Sequence, residues 1–259
     1  MSGIEIIALA AAAGAAGMIN AVAGGGTLIT FPALLFFGTP PLTANATSTL
    51  ALVFGTAGSV YGFRRQIAPV KMWLKRFLPV SLLGGLAGGI LLTRTREAVF
   101  ARLVPFLILF ATILFVAQGA VRRFAGRADG SETTVNPQHR VVWAAMLFQF
   151  GVAVYGGYFG AGIGILMLAS LGYLGLTDIH EMNAVKTVLS SIINQVAAAY
   201  FIFAGLIDWP KALVMTTGAL AGYFLGAHYS QRFPQRRVRQ IITGIGLLIS
   251  AVMFYKQFG

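Results

Sequence analysis

A chain of 259 residues that is 57% hydrophobic and 10% charged, with a mean hydropathy of +0.79, stands far from the roughly 25% charged residues of an average soluble domain. Too few polar side chains remain to clothe a water-facing surface, so a soluble globular protein is excluded. The net charge of +12 comes from 19 basic residues in short clusters between apolar runs, which fits juxtamembrane anchoring and argues against nucleic acid as a partner.

The first apolar run, 4–23, is rich in small residues like a secretory leader, but its first charge is Glu5, and it is expected to remain as the first helix. The second, 28–37, ends at Gly38-Thr39-Pro40-Pro41 after about ten residues. A span of ~30 Å of hydrocarbon needs ~20, so a half-spanning helix is expected here. Runs at 46–63, 77–92 and 98–121 follow. The polar stretch 122–140, with Gly126, Asp129, Gly130, Ser131 and Pro137, reads as a linker between a first transmembrane unit, 1–121, and a second, 141–259. Beyond it apolar runs recur at 141–155, 163–176, 185–207, 212–229 and 238–255.

The two sides are one unit written twice. Asn45 matches Asn183, Thr49 matches Thr187, Gly84 and Gly88 match Gly222 and Gly226, and Gly24 and Gly26 match Gly162 and Gly164, each pair 138 residues apart. Basic residues set the relative orientation. If the units are inverted, Arg64, Arg65, Lys71, Lys75 and Arg76, the four arginines of 122–140, and Arg232, Arg236, Arg237 and Arg239 share one side, 13 of the 19, and Lys186 makes 14; parallel units gather eight, Lys186 included. The expected fold is therefore an all-α polytopic membrane protein of two inverted repeats, with the linker cytoplasmic. Inversion requires an odd number of crossings per unit, met by a re-entrant or broken helical hairpin followed by three transmembrane helices.

Each hairpin turns at glycines: Gly24-Gly25-Gly26-Thr27 in the first unit, Gly160-Ala161-Gly162-Ile163-Gly164 in the second. Glycine leaves the backbone amides unshielded, and the helix that follows points its positive end at the turn, which makes a cradle for an anion. The alternative is that these glycines only permit close helix packing, as the spacing of Gly84 and Gly88 suggests. Polar residues surround the turns: Asn45 and Thr49 open one span, Asn183 and Lys186 its counterpart. Asn45 and Asn183 are equally readable as helix caps. Lys186 either faces the substrate or snorkels to headgroups. Thr47, Asn20, Tyr158 and Asn194 are weaker substrate candidates, and Gln149 and Gln195 read as helix–helix hydrogen bonds. The seven acids fall near helix ends or in loops, so the interior is neutral to positive, which suits an anion better than a cation.

There is no cysteine, His139, His180 and His228 are scattered, and His180-Glu181-Met182-Asn183 lacks the second histidine of a zinc-protease motif. Neither a nucleophile elbow nor a Walker loop occurs, so no enzyme activity, metal or other cofactor is expected. The expected partners are the small anion and the lipid bilayer, with self-association into a homo-oligomer left open.

The stretch from Asn20 to Pro32, the stretch Ala44 to Thr49 with Gly62-Phe63-Arg64-Arg65, Gly156 to Gly164, Met182 to Lys186 and Gly205 to Trp209 together resemble the TauE/SafE family of membrane proteins. The resemblance covers nearly everything outside 122–140. It implies a carrier of sulfite, sulfoacetate or a similar small anion in the cytoplasmic (inner) membrane of a bacterium, usually an exporter. Alternating access at the midplane is the expected mechanism; a passive anion channel and a non-transporting scaffold are the alternatives.

Overall fold

The computed structural model describes residues 1–22, 25–62, 64, 67–127, 139–173, 178–229 and 235–258, and its regular elements are ten α-helices with no strand among the described residues. In the first unit these are α1 (Gly3–Val22), α2 (Thr27–Phe36), α3 (Pro41–Gly62), α4 (Ile67–Arg94) and α5 (Glu97–Arg127). The second unit holds α6 (His139–Tyr158), α7 (Ile163–Tyr173), α8 (Ile179–Phe203), α9 (Trp209–Tyr229) and α10 (Gln235–Phe258). Five of them, α1, α4, α5, α8 and α10, are long and apolar enough to cross a bilayer. α3 has the length, at 22 residues, but its apolar run is broken by Asn45, Thr47 and Ser48, all of them buried in protein.

Several helices outrun their apolar stretches. α4 starts well before residue 77 because Lys71, Lys75 and Arg76 are good helix formers that lie exposed at its polar end. α5 continues to Arg127 and α6 opens at His139, so part of 122–140 is helical, and 128–138 lie outside the described residues. The capping role considered for Asn45 and Asn183 is corrected. α3 begins with Pro41, whose fixed φ suits the first helical position, and α8 is capped by Asp178, whose carboxylate accepts from His180 N at 2.6 Å and Glu181 N at 3.3 Å. Both asparagines therefore sit about one turn inside their helices.

One face of the molecule is defined by a polar clasp. Lys211 Nζ, at the start of α9, lies 3.1 Å from Glu5 Oε1 in the first turn of α1 and 3.7 Å from Asp208 Oδ2. The same ammonium donates to Phe37 O at 3.4 Å and Thr39 Oγ1 at 2.9 Å, just past the end of α2. Glu97, which opens α5, accepts from Leu42 N at 3.0 Å, and Gln257 near the end of α10 donates to Arg102 O at 3.4 Å. Hence α2 returns to the face from which α1 sets out. At ten residues it rises about 15 Å, half the hydrocarbon thickness.

The tightest helix contacts are made by small residues, and they are exchanged between the units. α1 packs along α9 and α6 packs along α4. Gly218 touches Ala10, Gly222 touches Gly14 and Gly226 lies against Met18, so residue numbers rise together and α1 and α9 run parallel. In the same way Gly84 meets Phe150 and Ala153, and Gly88 meets Val154 and Tyr158, so α4 and α6 are parallel. A Cβ added to Gly84 would stand 2.6 Å from Ala153 Cβ, and one added to Gly226 2.8 Å from Met18 Cα. Backbones this close need glycine, and dispersion between them replaces the hydrophobic drive that lipid cannot supply. Because α4 ends on the clasped face, α6 heads towards that face, opposite to α1.

Candidate substrate site

The first glycine turn is held by its own unit's α1 and by α9. Gly25 has φ +95°, in the left-handed region that a β-carbon disfavours, and the ring of Phe115 from α5 lies directly over it. Gly26 N donates to Asn20 Oδ1 at 2.7 Å, and Asn20 Nδ2 donates to Tyr223 Oη on α9 at 2.9 Å. Thr30 Oγ1 pairs with Ser48 Oγ at 2.6 Å and donates to Gly26 O at 3.2 Å. A protein amide thus already occupies the Gly26 amide, leaving Gly25 and the half-buried Thr27 as the open part of this turn. Gly24 lies outside the described residues.

The second turn contains two glycines in the left-handed region. Gly160 and Gly162 have φ +82° and +80°. α6 closes with Phe159 N and Gly160 N both donating to Tyr155 O, at 2.9 and 3.2 Å, and Tyr155 Oη ties Ala161 O at 2.8 Å. The first backbone bond at the start of α7 is Ile165 N to Gly162 O at 3.0 Å, so the amides just ahead of it form the buried positive end of an eleven-residue helix. A Cβ placed on Gly162 would meet Leu114 Cδ1 at 3.4 Å, an ordinary contact, so side-chain volume is not what demands glycine there.

Polar groups converge on this second turn from two helices, α8 and α3. The aliphatic stem of Lys186 runs beside Gly164, 3.0 Å from where its Cβ would be, and its ammonium donates to Asn183 Oδ1 at 3.0 Å. Asn194 Oδ1 stands 3.6 Å from the Cβ position of Gly160. From the first unit, Asn45 Nδ2 donates to Tyr158 O at 2.9 Å. Each turn is therefore fastened across the unit boundary, the first by Tyr223 and the second by Asn45. Of the described acids, Glu5, Glu97 and Asp208 lie on the clasped face, and Asp178 and Glu181 open α8, the helix that carries Asn183 and Lys186.

The profile of the family described as Sulfite exporter TauE/SafE matches residues 9–253. The chain belongs to the TauE/SafE family. Relatives within reach of sequence include a probable membrane transporter protein of Haemophilus influenzae, 29% identical over 98% of this chain and 97% of that protein. Another, ORF9 of a Sinorhizobium species, is 28% identical over 92% and 86%, and YunE of Bacillus subtilis is 23% identical over 99% and 98%; both are also described as probable membrane transporter proteins. No solved structure matches. TauE/SafE proteins are membrane transporters rather than a class of enzymes, and this member is a multi-pass membrane protein.

Within this TauE/SafE chain, Gly160, Gly162, Gly164, Asn183, Lys186, Asn194, Tyr158 and Asn45 gather at the second turn, while Gly25, Gly26, Thr27 and Asn20 form the first. Thr47 and Thr49 do not join either. Thr47 Oγ1 accepts from Asp208 N at 3.0 Å, fixing α3 to the α8–α9 turn, and Thr49 Oγ1 donates to Asn45 O at 2.9 Å within its own helix. Gln149 is a helix–helix link, donating to Ser81 Oγ at 2.9 Å, whereas Gln195 donates to Ser191 Oγ one turn back on α8. Tyr223 and Phe115, which shape the first turn, were not among the sequence candidates, since each stands on a helix whose local pattern says only that it is apolar.

Proposed function

We propose that this protein is a secondary transporter that carries a small anion, with sulfite, sulfoacetate or another organosulfonate as the candidates, out across the cytoplasmic membrane of a bacterium by alternating access. The observation that carries the reading is the second glycine turn: the positive end of α7 begins there beside the stem of Lys186. Helix-start amides and a cation stabilise an anion that has shed part of its water. The opposed directions of α1 and α6 and the exchanged packing of α1 on α9 and α6 on α4 support two inverted units able to rock about a site between them. Purified protein in liposomes preloaded with unlabelled sulfite or sulfoacetate is expected to show saturable uptake of labelled anion, accelerated by the load inside. Flux that rises linearly with concentration and ignores the load would make the protein a channel. Failure of every small anion tested to move or to shift its melting temperature would leave a scaffold.

The orientation follows from the positive residues, which put 122–140 in the cytoplasm and both termini outside. Because the chain has no cysteine, single cysteines report without background. Ser2→Cys is expected to react with an impermeant maleimide in spheroplasts, and Ser131→Cys only after lysis. The opposite pattern overturns the orientation.

A further inference from the structure

The side chain of Asn45 has one satisfied polar atom and one orphan. It is 1% exposed, its Nδ2 donates to Tyr158 O at 2.9 Å, and its Oδ1 is buried with no hydrogen-bond partner. The amide cannot be turned over to remove the orphan. Tyr158 O is a carbonyl and only accepts, so a reversed amide would set two acceptors face to face. Ser250 Oγ is the other unpaired buried side-chain atom among the described residues. A buried carbonyl oxygen shut off from bulk water requires a donor enclosed with it.

The position of the orphan gives it meaning. Tyr158, to which the amide is tied, ends α6 two residues before the Gly160 turn, so Asn45 borders the segment that leads to the start of α7 and Lys186. Amides and an ammonium satisfy anionic oxygens, whereas an amide oxygen repels them and attracts a hydrogen. The geometry points to a ligand that bears an O–H or N–H group in addition to its negative charge, with Asn45 Oδ1 accepting that hydrogen. This inference rests on the proposed transport of a small anion and narrows the substrate to anions carrying their own donor.

Three sulfonates of near-equal size test it: ethanesulfonate has no donor, isethionate adds a hydroxyl and taurine an ammonium. Binding to the purified full chain is measured by isothermal titration, with sulfite as a further anion. At least one donor-bearing sulfonate is expected to bind about tenfold or more tightly than ethanesulfonate, and which one identifies the donor. In Asn45→Leu, of similar size but without an acceptor, the preference is expected to shrink to about twofold or less. Equal binding of all three to the native protein overturns the donor requirement while leaving anion transport standing, and so does a preference that survives in Asn45→Leu. Should Asn45→Leu fail to fold, the ratios on the native protein still decide. Absence of binding by all four anions removes the transport reading and this inference with it.

Discussion

Transport by the Gly162→Val protein is expected to fall to background while the protein still inserts and purifies as a folded species. Gly162 holds φ +80°, where a β-branched residue is strained by about 1–3 kcal/mol, and the chain relieves that strain by re-forming the turn. The turn then ceases to aim the first amides of α7 at one point. Folding should survive, because the nearest neighbour of an added Cβ is Leu114 at 3.4 Å and the long helices keep their contacts. Gly25→Val is a harsher and less informative change, since the buried ring of Phe115 already lies over Gly25 and a new side chain would displace it. Initial uptake rates in liposomes, normalised to the folded protein recovered by gel filtration, provide the measurement. A Gly162→Val protein that transports at the parental rate would reduce the second turn to a packing feature.

Lys186→Met is expected to weaken apparent affinity by roughly tenfold to more than a hundredfold, with the maximal rate less affected. A charge-assisted contact in a partly desolvated site contributes about 1.5–3 kcal/mol, which is that range of affinity. Methionine preserves the apolar stem beside Gly164 and a good helix former within α8, so the loss isolates the ammonium. Lys186→Arg keeps the charge but replaces a compact donor with a planar fork, and selectivity among anions is expected to change more than affinity. Affinity and membrane abundance are to be measured on one preparation. Normal affinity with low abundance would show that Lys186 serves insertion and stands outside the site.

Much of this arrangement was readable from local pattern. The short run before Gly38-Thr39-Pro40 announced α2, and the glycines at 160, 162 and 164 announced a turn, because both signals reside in consecutive residues. The matched glycines 138 residues apart pointed to a repeat, and the structure places those of α4 and α9 at equivalent tight contacts. Local signals also existed for the helix starts that apolar runs missed: Pro41 fits a first helical position, and Asp178 followed by Glu181 fits an N-terminal box. The apolar runs outweigh them in a reading by hydrophobicity, which leaves capping open as one of two readings of Asn45 and Asn183 although their neighbours Pro41 and Asp178 begin the helices. What could not be read were contacts across the unit boundary. Asn20 meets Tyr223, 203 positions away, and Asn45 meets Tyr158, 113 positions away; nothing in either neighbourhood foretells the partner. Such pairs depend on how helices are laid side by side, which periodicity within one helix does not encode.

The clasp around Lys211 has no twin. Shifted by the repeat distance of 138, Glu5 becomes Trp143, Lys211 becomes Trp73 and Asp208 becomes Val70, so ions fasten one face where aromatic and aliphatic side chains stand at the matching places on the other. Two matched halves with matched fastenings would favour neither side. With this ionic buckle on one face and no counterpart at the matching positions of the other, on the proposed rocking motion, the machine has a resting side. Dissolved salt screens ionic attraction and leaves apolar packing nearly untouched. Raised salt on the clasped face would therefore act on the buckle, while at the matching places of the opposite face it would meet Trp143, Trp73 and Val70.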